Sequence, residues 1–486
     1  MNYKMIGRFL AQILAIEAVF MIPAMGISTG YGEWDTVMAF AVTIGIVTVV
    51  SGTMYLLCRK APKALSAREG MVCVGISWIV LSLFGALPFV LSGDIPRYID
   101  AFFEIVSGFT TTGASILSDV EHLSKGVLYW RSFSHWLGGM GVLVFLLAIA
   151  PGSKDKGFTM HLLRAESPGP EVGKLVPRMR KTASILYIIY IVLTLANIIF
   201  LLLGGMHWLD AVCTAFGTAG TGGFGTKNDS LMSFSPYIQY VTAVFMLLFG
   251  INFSCYYLLL LRQFKSVFKD EELRMYLSIA AVATALIIVN IYTSMGQFYG
   301  TFEETFRHSF FTVSSIMTTT GFGTTDFDLW PAFSKSIIMF LMVVGACAGS
   351  TGGGLKVSRL LYLLKSLGRN IVQVLNPRRV KLIRNNGQVV SEKTIDNTNA
   401  YLAAYVSILI FSFVIISLDN NTIGTNFTAV LSCFNNIGPG LEAVGPTCNF
   451  SHFSDLSKLV LSADMLAGRL EIFPILVLFS RGTWRK

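Results

Sequence analysis

Apolar runs of about 20 residues recur along the whole chain, and each is long enough to cross a bilayer core. They lie near 6–25, 36–57, 71–92, 127–150, 183–204, 237–261, 275–294, 334–348, 399–418 and 456–480. No stretch between them is long enough for a separate soluble domain. Only 13% of the 486 residues are charged, where a soluble domain carries about a quarter. The sequence is that of an integral membrane protein. Lys4 and Arg8 precede the first run, but Glu17 interrupts it and a second span follows at once. It therefore reads as a retained helix and not as a cleaved leader. The seven cysteines form no CxxC pair and read as small core residues.

The formal net charge is +9, and its placement explains it. Basic residues fill alternate loops: Arg59, Lys60, Lys63 and Arg68; Lys154, Lys156, Arg164, Lys174, Arg178, Arg180 and Lys181; Arg262, Lys265, Lys269 and Arg274; then Lys356 through Arg384, and Arg481, Arg485 and Lys486 at the end. The intervening loops carry Glu33, Asp35, Asp94, Glu303, Glu304 and Asp419. This is the positive-inside bias. It predicts a multi-pass protein with both termini in the cytoplasm and no nucleic-acid partner.

The alternation holds only if four semi-apolar segments, 98–112, 207–219, 302–320 and 427–437, enter and leave the membrane from one side. Each runs into a cluster ending in glycine: Thr110-Thr111-Thr112-Gly113, Gly217-Thr218-Ala219-Gly220, Thr318-Thr319-Thr320-Gly321 and Asn435-Asn436-Ile437-Gly438. The closing glycines are 107, 101 and 117 residues apart (220−113, 321−220, 438−321). Phe109, Phe216, Met317 and Phe434 stand at the same offset before them, as do Ser107, Thr214, Ser315 and Ser432. A fixed spacing with a shared local order is an internal repeat. The expected fold is an all-α polytopic membrane protein, with four span–pore-loop–span repeats around one pore plus two N-terminal helices. The expected division is 1–70 for the leading helices, then repeats at 71–182, 183–273, 274–397 and 398–486.

Non-helical backbone at membrane depth must be buried in protein or line a wet cavity. Four such loops around one axis would present rings of carbonyl oxygens able to replace an ion's hydration shell. The pore helices end at the loops, so their negative dipole ends favour a cation there. No Asp or Glu lies in the clusters, which argues against a divalent ion. A solute transporter with Gly-broken helices is the rival class, but such folds usually have two inverted repeats. The chain has no HExxH and reads as a non-enzyme.

Two further elements belong to single repeats. Residues 345–354, Gly-Ala-Cys-Ala-Gly-Ser-Thr-Gly-Gly-Gly, are too glycine-rich for a stable helix, at about 1 kcal/mol per glycine relative to alanine. A broken helix lining a cavity fits them better. The run through Lys356 does not match GxxxxGK[ST] and is not a phosphate loop. Arg469 lies midway along the last span, where a charge must be paired or wetted. It is either a cation barrier or one half of an ion pair with Asp464, Glu471 or Glu17. Arg131 and His135, between Trp130 and Trp136, read as interfacial anchors.

With SGFTTTGAS at 107–115, GTAGTGGFG at 217–225, SSIMTTTGFG at 314–323 and NNIGPGLEAVGP at 435–446, the chain resembles the TrkH-type potassium uptake proteins of the Trk/Ktr/HKT superfamily over nearly its full length. The two leading spans favour that type over the shorter KtrB type. The resemblance implies potassium uptake across the bacterial inner membrane, with one selectivity-filter glycine from each repeat, here Gly113, Gly220, Gly321 and Gly438. Sodium-preferring members have serine at the first, so Gly113 points to potassium. It also implies a homodimer with one pore per subunit and a separate cytoplasmic TrkA-like nucleotide-binding subunit. The nucleotide is expected on that partner, and no cofactor on this chain beyond bound K+. Gly345, Gly349, Gly352, Gly353, Gly354 and Lys356 would form an intramembrane gating loop, with Arg469 as a barrier beneath the filter.

Overall fold

The computed structural model describes residues 1–59, 66–141, 179–295 and 300–484. Lys60, Lys63, Lys154, Lys156, Arg164, Lys174, Arg178, Arg485 and Lys486, and positions 142–150 of one expected span, lie outside them. The described residues are helical apart from loops and one short hairpin, Arg384–Asn385 against Gln388–Val389.

Two leading helices, Tyr3–Tyr31 and Trp34–Cys58, form an antiparallel hairpin. Ser51 Oγ donates to the Ala11 carbonyl across it at 2.7 Å. The turn also serves repeat one, because the Glu33 carboxylate accepts from the amides of Lys125 (2.7 Å) and Gly126 (3.3 Å). These are orphan donors at the start of helix Lys125–Gly139.

The repeats follow one scheme. Each begins with a continuous membrane-length helix, over Arg68–Leu91, Ser184–Leu203, Glu271–Ser294 and Glu392–Asp419. Each continues with a short pore helix: Tyr98–Phe109, Trp208–Gly220, Phe302–Met317 and Ile423–Asn435. Thr301 and Thr422 cap the last two, accepting from the amides of Glu304 and Thr425. The second spans are Lys125–Gly139, Pro236–Phe249, Ala332–Val344 and Asp455–Arg469.

All four second-span helices end short of their expected spans, where the sequence pattern predicted a break in repeat three alone. Repeat one turns at Gly141 (φ 76°). Repeat two resumes as Phe253–Leu260 after a bend of 88°. Repeat four turns through Glu471 (φ 60°) and Ile472 (φ 65°) into Phe473–Phe479. Packing against the pore helices explains this. A Cβ on Gly138 would strike the Phe109 carbonyl, and one on Gly468 the Phe434 carbonyl, so two second spans lie against the C-terminal ends of their own pore helices. Within the 237–261 run the first half ends at Gly250, and the Asn252 side chain accepts from the Ser254 amide at 2.9 Å to start the second.

Bonds join each neighbouring pair of repeats. Arg131 Nη1 reaches the Gly225 carbonyl at 3.1 Å, and the Leu231 amide donates to the Gly323 carbonyl at 3.0 Å. The Glu442 amide donates to Asp328 Oδ2 at 3.2 Å. Lys458 Nζ meets Asp100 Oδ1 at 2.6 Å, so repeat four closes back on repeat one. Val49, Ile188 and Phe411 point apolar side chains outward, as a lipid-facing surface requires.

Candidate functional site: a four-loop ring and the loop beneath it

Each pore helix ends in the same backbone turn. The amides of Thr112, Gly222, Thr320 and Ile437 donate to the carbonyls of Ser107, Gly217, Ser315 and Ser432 at 2.8–3.0 Å. The preceding residues, Thr111, Thr221, Thr319 and Asn436, are left-handed at φ 56–58°. None of the four is glycine, so each stores roughly 1–3 kcal/mol of strain that its surroundings must hold. Next come Gly113, Gly223, Gly321 and Gly438, at φ 80°, 78°, 87° and 100°.

This register corrects the reading of repeat two. Gly220 belongs to the last turn of its pore helix, against the His135 carbonyl. Gly217, Thr218 and Ala219 lie in that helix too. The equivalent of Gly113, Gly321 and Gly438 is Gly223, three residues on. The Gly217-Thr218-Ala219-Gly220 run imitates the other clusters in composition, but the helix continues through it. In the corrected register the spacings are 110, 98 and 117 (223−113, 321−223, 438−321).

The four glycines close a ring. A Cβ on Gly113 would collide with the Gly222 carbonyl oxygen, on Gly223 with that of Thr320, and on Gly321 with that of Ile437. On Gly438 it would come within 2.9 Å of the Thr112 oxygen. Each glycine thus leaves room for the carbonyl that precedes the next glycine, in the order one–two–three–four–one. Any side chain at these positions would displace the carbonyl as well as strain its own backbone. The four glycines line one cavity on the face from which the pore helices enter.

The supports behind the ring differ by repeat. Thr110 and Thr112 share a hydroxyl contact at 2.8 Å, as do Thr318 and Thr320 at 2.7 Å. Asn435 exchanges hydrogen bonds with the Tyr405 hydroxyl at 2.8 and 3.1 Å. Asn436 Nδ2 donates to Thr112 Oγ1 (3.0 Å) and to the Met465 carbonyl (2.9 Å), which ties repeat four to repeat one. Arg131 and His135 are buried, which corrects their reading as interfacial anchors. His135 Nδ1 bonds to the Gly108 carbonyl at 2.8 Å, and the Phe224 amide donates to Nε2 at 3.3 Å. With these partners Nδ1 carries the proton. His135 is a strut between the first two loops. The one available signal was its place in an apolar span beside a second polar residue.

Beneath the ring runs the glycine-rich segment of repeat three, non-helical from Gly345 to Lys356. Gly345, Gly349 and Gly354 have φ of 71°, 69° and 76°. The Gly353 amide donates to Thr319 Oγ1 at 2.6 Å, and the Gly354 amide to the Asn435 carbonyl at 3.1 Å. A Cβ on Gly352 would come within 2.8 Å of the Thr318 oxygen. The segment therefore hangs from the strained turns of repeats three and four. On its other side the Cys347 amide donates to the Gly250 carbonyl (3.1 Å), and the Phe253 amide to the Gly349 carbonyl (3.0 Å), so it also fills the break of repeat two. Lys356 is buried and left-handed (φ 77°), and its Nζ donates to the Gly352 carbonyl, folding the segment back on itself.

Arg469 completes the layer. Its guanidinium donates to the carbonyls of Gly138 (2.5 Å), Gly139 (2.6 Å) and Thr351 (2.7 Å). It satisfies the carbonyl end of the broken repeat-one span and staples the glycine-rich segment to it. Of the acidic residues suggested as its partners, Glu471 pairs with Arg359 and Asp464 Oδ1 accepts from Ser412 Oγ at 2.7 Å.

This arrangement defines a class: a multi-pass helical membrane protein in which four re-entrant loops meet on one axis over an internal plug. The comparisons agree. A family model described as TrkH, cation transport protein, matches residues 36–484. The chain belongs to the TrkH family of cation transport proteins. The Trk system potassium uptake protein TrkH of Escherichia coli K12 is 36% identical over 490 residues, covering 100% of both chains. TrkG of the same strain is 32% identical over 488 residues, covering 100% of this chain and 99% of its own. The crystal structure of the potassium transporter TrkH from Vibrio parahaemolyticus matches with a TM-score of 0.89 at 31% identity, covering 100% of each chain.

Proposed function

We propose that this protein mediates potassium uptake across the bacterial inner membrane, with the four-glycine ring as its selectivity filter. The observation that carries this reading is the closed ring itself. Gly113, Gly223, Gly321 and Gly438 each make room for a neighbouring backbone carbonyl, which concentrates carbonyl oxygens where the C-terminal ends of four pore helices converge. Such a cage suits a monovalent cation stripped of water. Among the described residues no three His, Cys, Asp or Glu side chains converge as a metal site. The names of the full-length relatives favour potassium as the ion.

In this reading the glycine-rich segment is the gate, since it lies under the ring across the path to the opposite face. Arg469 is both its staple and a positive barrier. Opening withdraws Gly353 and Gly354 from Thr319 and Asn435 and releases Thr351 from Arg469. The exposed basic stretch from Arg378 to Arg384 is the surface on which a cytoplasmic TrkA-like nucleotide-binding subunit acts, and the chain works as a homodimer with both termini in the cytoplasm. Rubidium or potassium flux into reconstituted vesicles, with sodium as competitor, tests the core of this reading. Uptake that ignores the identity of the alkali cation would refute it.

A further inference from the structure

Glu104 and Arg131 form an ion pair inside the protein beside the ring. Arg131 Nε meets Glu104 Oε1 at 2.6 Å, and both side chains are buried. The pair spends its remaining bonding capacity on the chain just beyond two filter glycines. Glu104 Oε1 accepts from Ser115 Oγ and Oε2 from the Ile116 amide, each at 2.9 Å. Arg131 Nη2 contacts Ser115 Oγ at 3.2 Å and Nη1 the Gly225 carbonyl at 3.1 Å. The guanidinium lies 3.5 Å from the centre of the Phe224 ring. One guanidinium and one carboxylate thus hold the outgoing strands of loops one and two, and Arg131 also lines the cavity floored by the glycines.

The other half of the ring is held differently. Nine residues before each ring glycine, where repeat one has Glu104, repeats two, three and four have Thr214, Thr312 and Ala429. Repeats three and four secure their loops with short hydroxyl bonds instead. Ser315 Oγ donates to the Phe322 carbonyl and Ser432 Oγ to the Gly438 carbonyl, each at 2.7 Å.

We propose that Glu104 and Arg131 are positioning residues for ion selectivity, an internal cross-tie that fixes the carbonyl spacing of the repeat-one and repeat-two half of the filter. This rests on the reading of the ring as the filter. Two physical effects combine in it. A cage that separates ions of different radius must resist collapse onto the smaller one, and a charge-assisted clamp resists better than neutral bonds. The carboxylate also neutralises a guanidinium that would otherwise stand uncompensated in the wall of the cavity through which cations approach.

The test measures potassium and sodium flux in vesicles for wild type, Glu104→Gln, Arg131→Gln, Arg131→Lys and a control, Asp100→Asn. The control breaks the Lys458 pair, one turn away on the same pore helix. Glu104→Gln and Arg131→Gln are expected to lower the potassium-to-sodium ratio about tenfold, equivalent to about 1.4 kcal/mol of discrimination. Asp100→Asn is expected to lower thermal stability and leave the ratio unchanged. If the neutral variants do not fold, Arg131→Lys decides the matter, because it keeps the charge but loses the fork to Ser115 and Gly225, and the ratio should again fall. An unchanged ratio in any folded variant of Glu104 or Arg131 overturns the cross-tie. An equal fall in Asp100→Asn overturns it too, by making the loss a general consequence of destabilisation. Wild type without potassium preference would instead refute the filter reading itself.

Discussion

Replacing Arg469 by glutamine should increase cation flux by about a hundredfold through the lost charge, and by about tenfold more through release of the glycine-rich segment. Two contributions set this increase. A unit charge about 6 Å from a passing cation, at an effective dielectric near 20, raises its energy by about 3 kcal/mol, or about a hundredfold in rate. The second is mechanical. Arg469 donates three charge-assisted bonds to Gly138, Gly139 and Thr351, and each such bond is worth about 1.5–3 kcal/mol. Only the Thr351 bond holds the glycine-rich segment; the other two cap the end of the repeat-one helix. The release therefore adds little more than one bond. Initial-rate rubidium uptake into vesicles, normalised to protein inserted, measures the sum. Arg469→Lys separates the parts: it keeps the charge but cannot span three carbonyls, so low flux marks a barrier and raised flux a staple. Folded Arg469→Gln protein with flux within about twofold of wild type would refute both parts. It would leave Arg469 as a structural cap on the repeat-one break.

The remaining expectations concern the ring and its surroundings. Gly223→Ala should abolish discrimination between potassium and sodium, because its Cβ meets the Thr320 carbonyl at a φ of 78°. Gly220→Ala should instead lower expression and melting temperature through its clash with His135, and comparing competition assays with melts distinguishes the two. Gly113→Ser, at the first ring position, should weaken preference for potassium in the same competition assay. Thr319→Val removes the hydroxyl that accepts from the Gly353 amide, costing the closed segment about 1 kcal/mol and raising basal flux about fivefold. Hydrogen bonds from the Thr422 hydroxyl, and then from the Thr425 hydroxyl and amide, hold the Glu442 carboxyl below the usual range. Its folded-state value being depressed, the stability it adds is complete above the ordinary value near 4.3 and is lost as pH falls through the folded value. Thermal melts of wild type should therefore fall in this acid window more steeply than those of Glu442→Gln.

Three of the four ring glycines were legible from composition, because Gly113, Gly321 and Gly438 directly end polar clusters at a shared offset from an aromatic or methionine residue. The fourth was misplaced, because Gly217, Gly220, Gly222, Gly223 and Gly225 all lie within nine positions and local composition cannot say where a helix ends. What decides it is the left-handed turn at Thr221 and the Thr320 carbonyl seated against Gly223, and that carbonyl is 97 residues away in the chain (320−223). His135 and Arg131 were underread for the same reason. A polar residue in an apolar span looks like an anchor until its partners from another repeat are visible.

The chain by itself determined the positions of its apolar segments, the alternation of basic loops, the fourfold repeat and the non-helical character of 345–354. All of these follow from local quantities: transfer free energy summed along a segment, charge by loop, and glycine's weak helix propensity. Tertiary structure decided the register of the second loop, the breaks in every second span, and the acceptors of Arg469. The register depends on which carbonyl of one repeat, about a hundred positions away, occupies the space left by a glycine of another; the helix ends and the acceptors of Arg469 depend on how the second spans pack on their pore helices and on each other, contacts that no local pattern encodes.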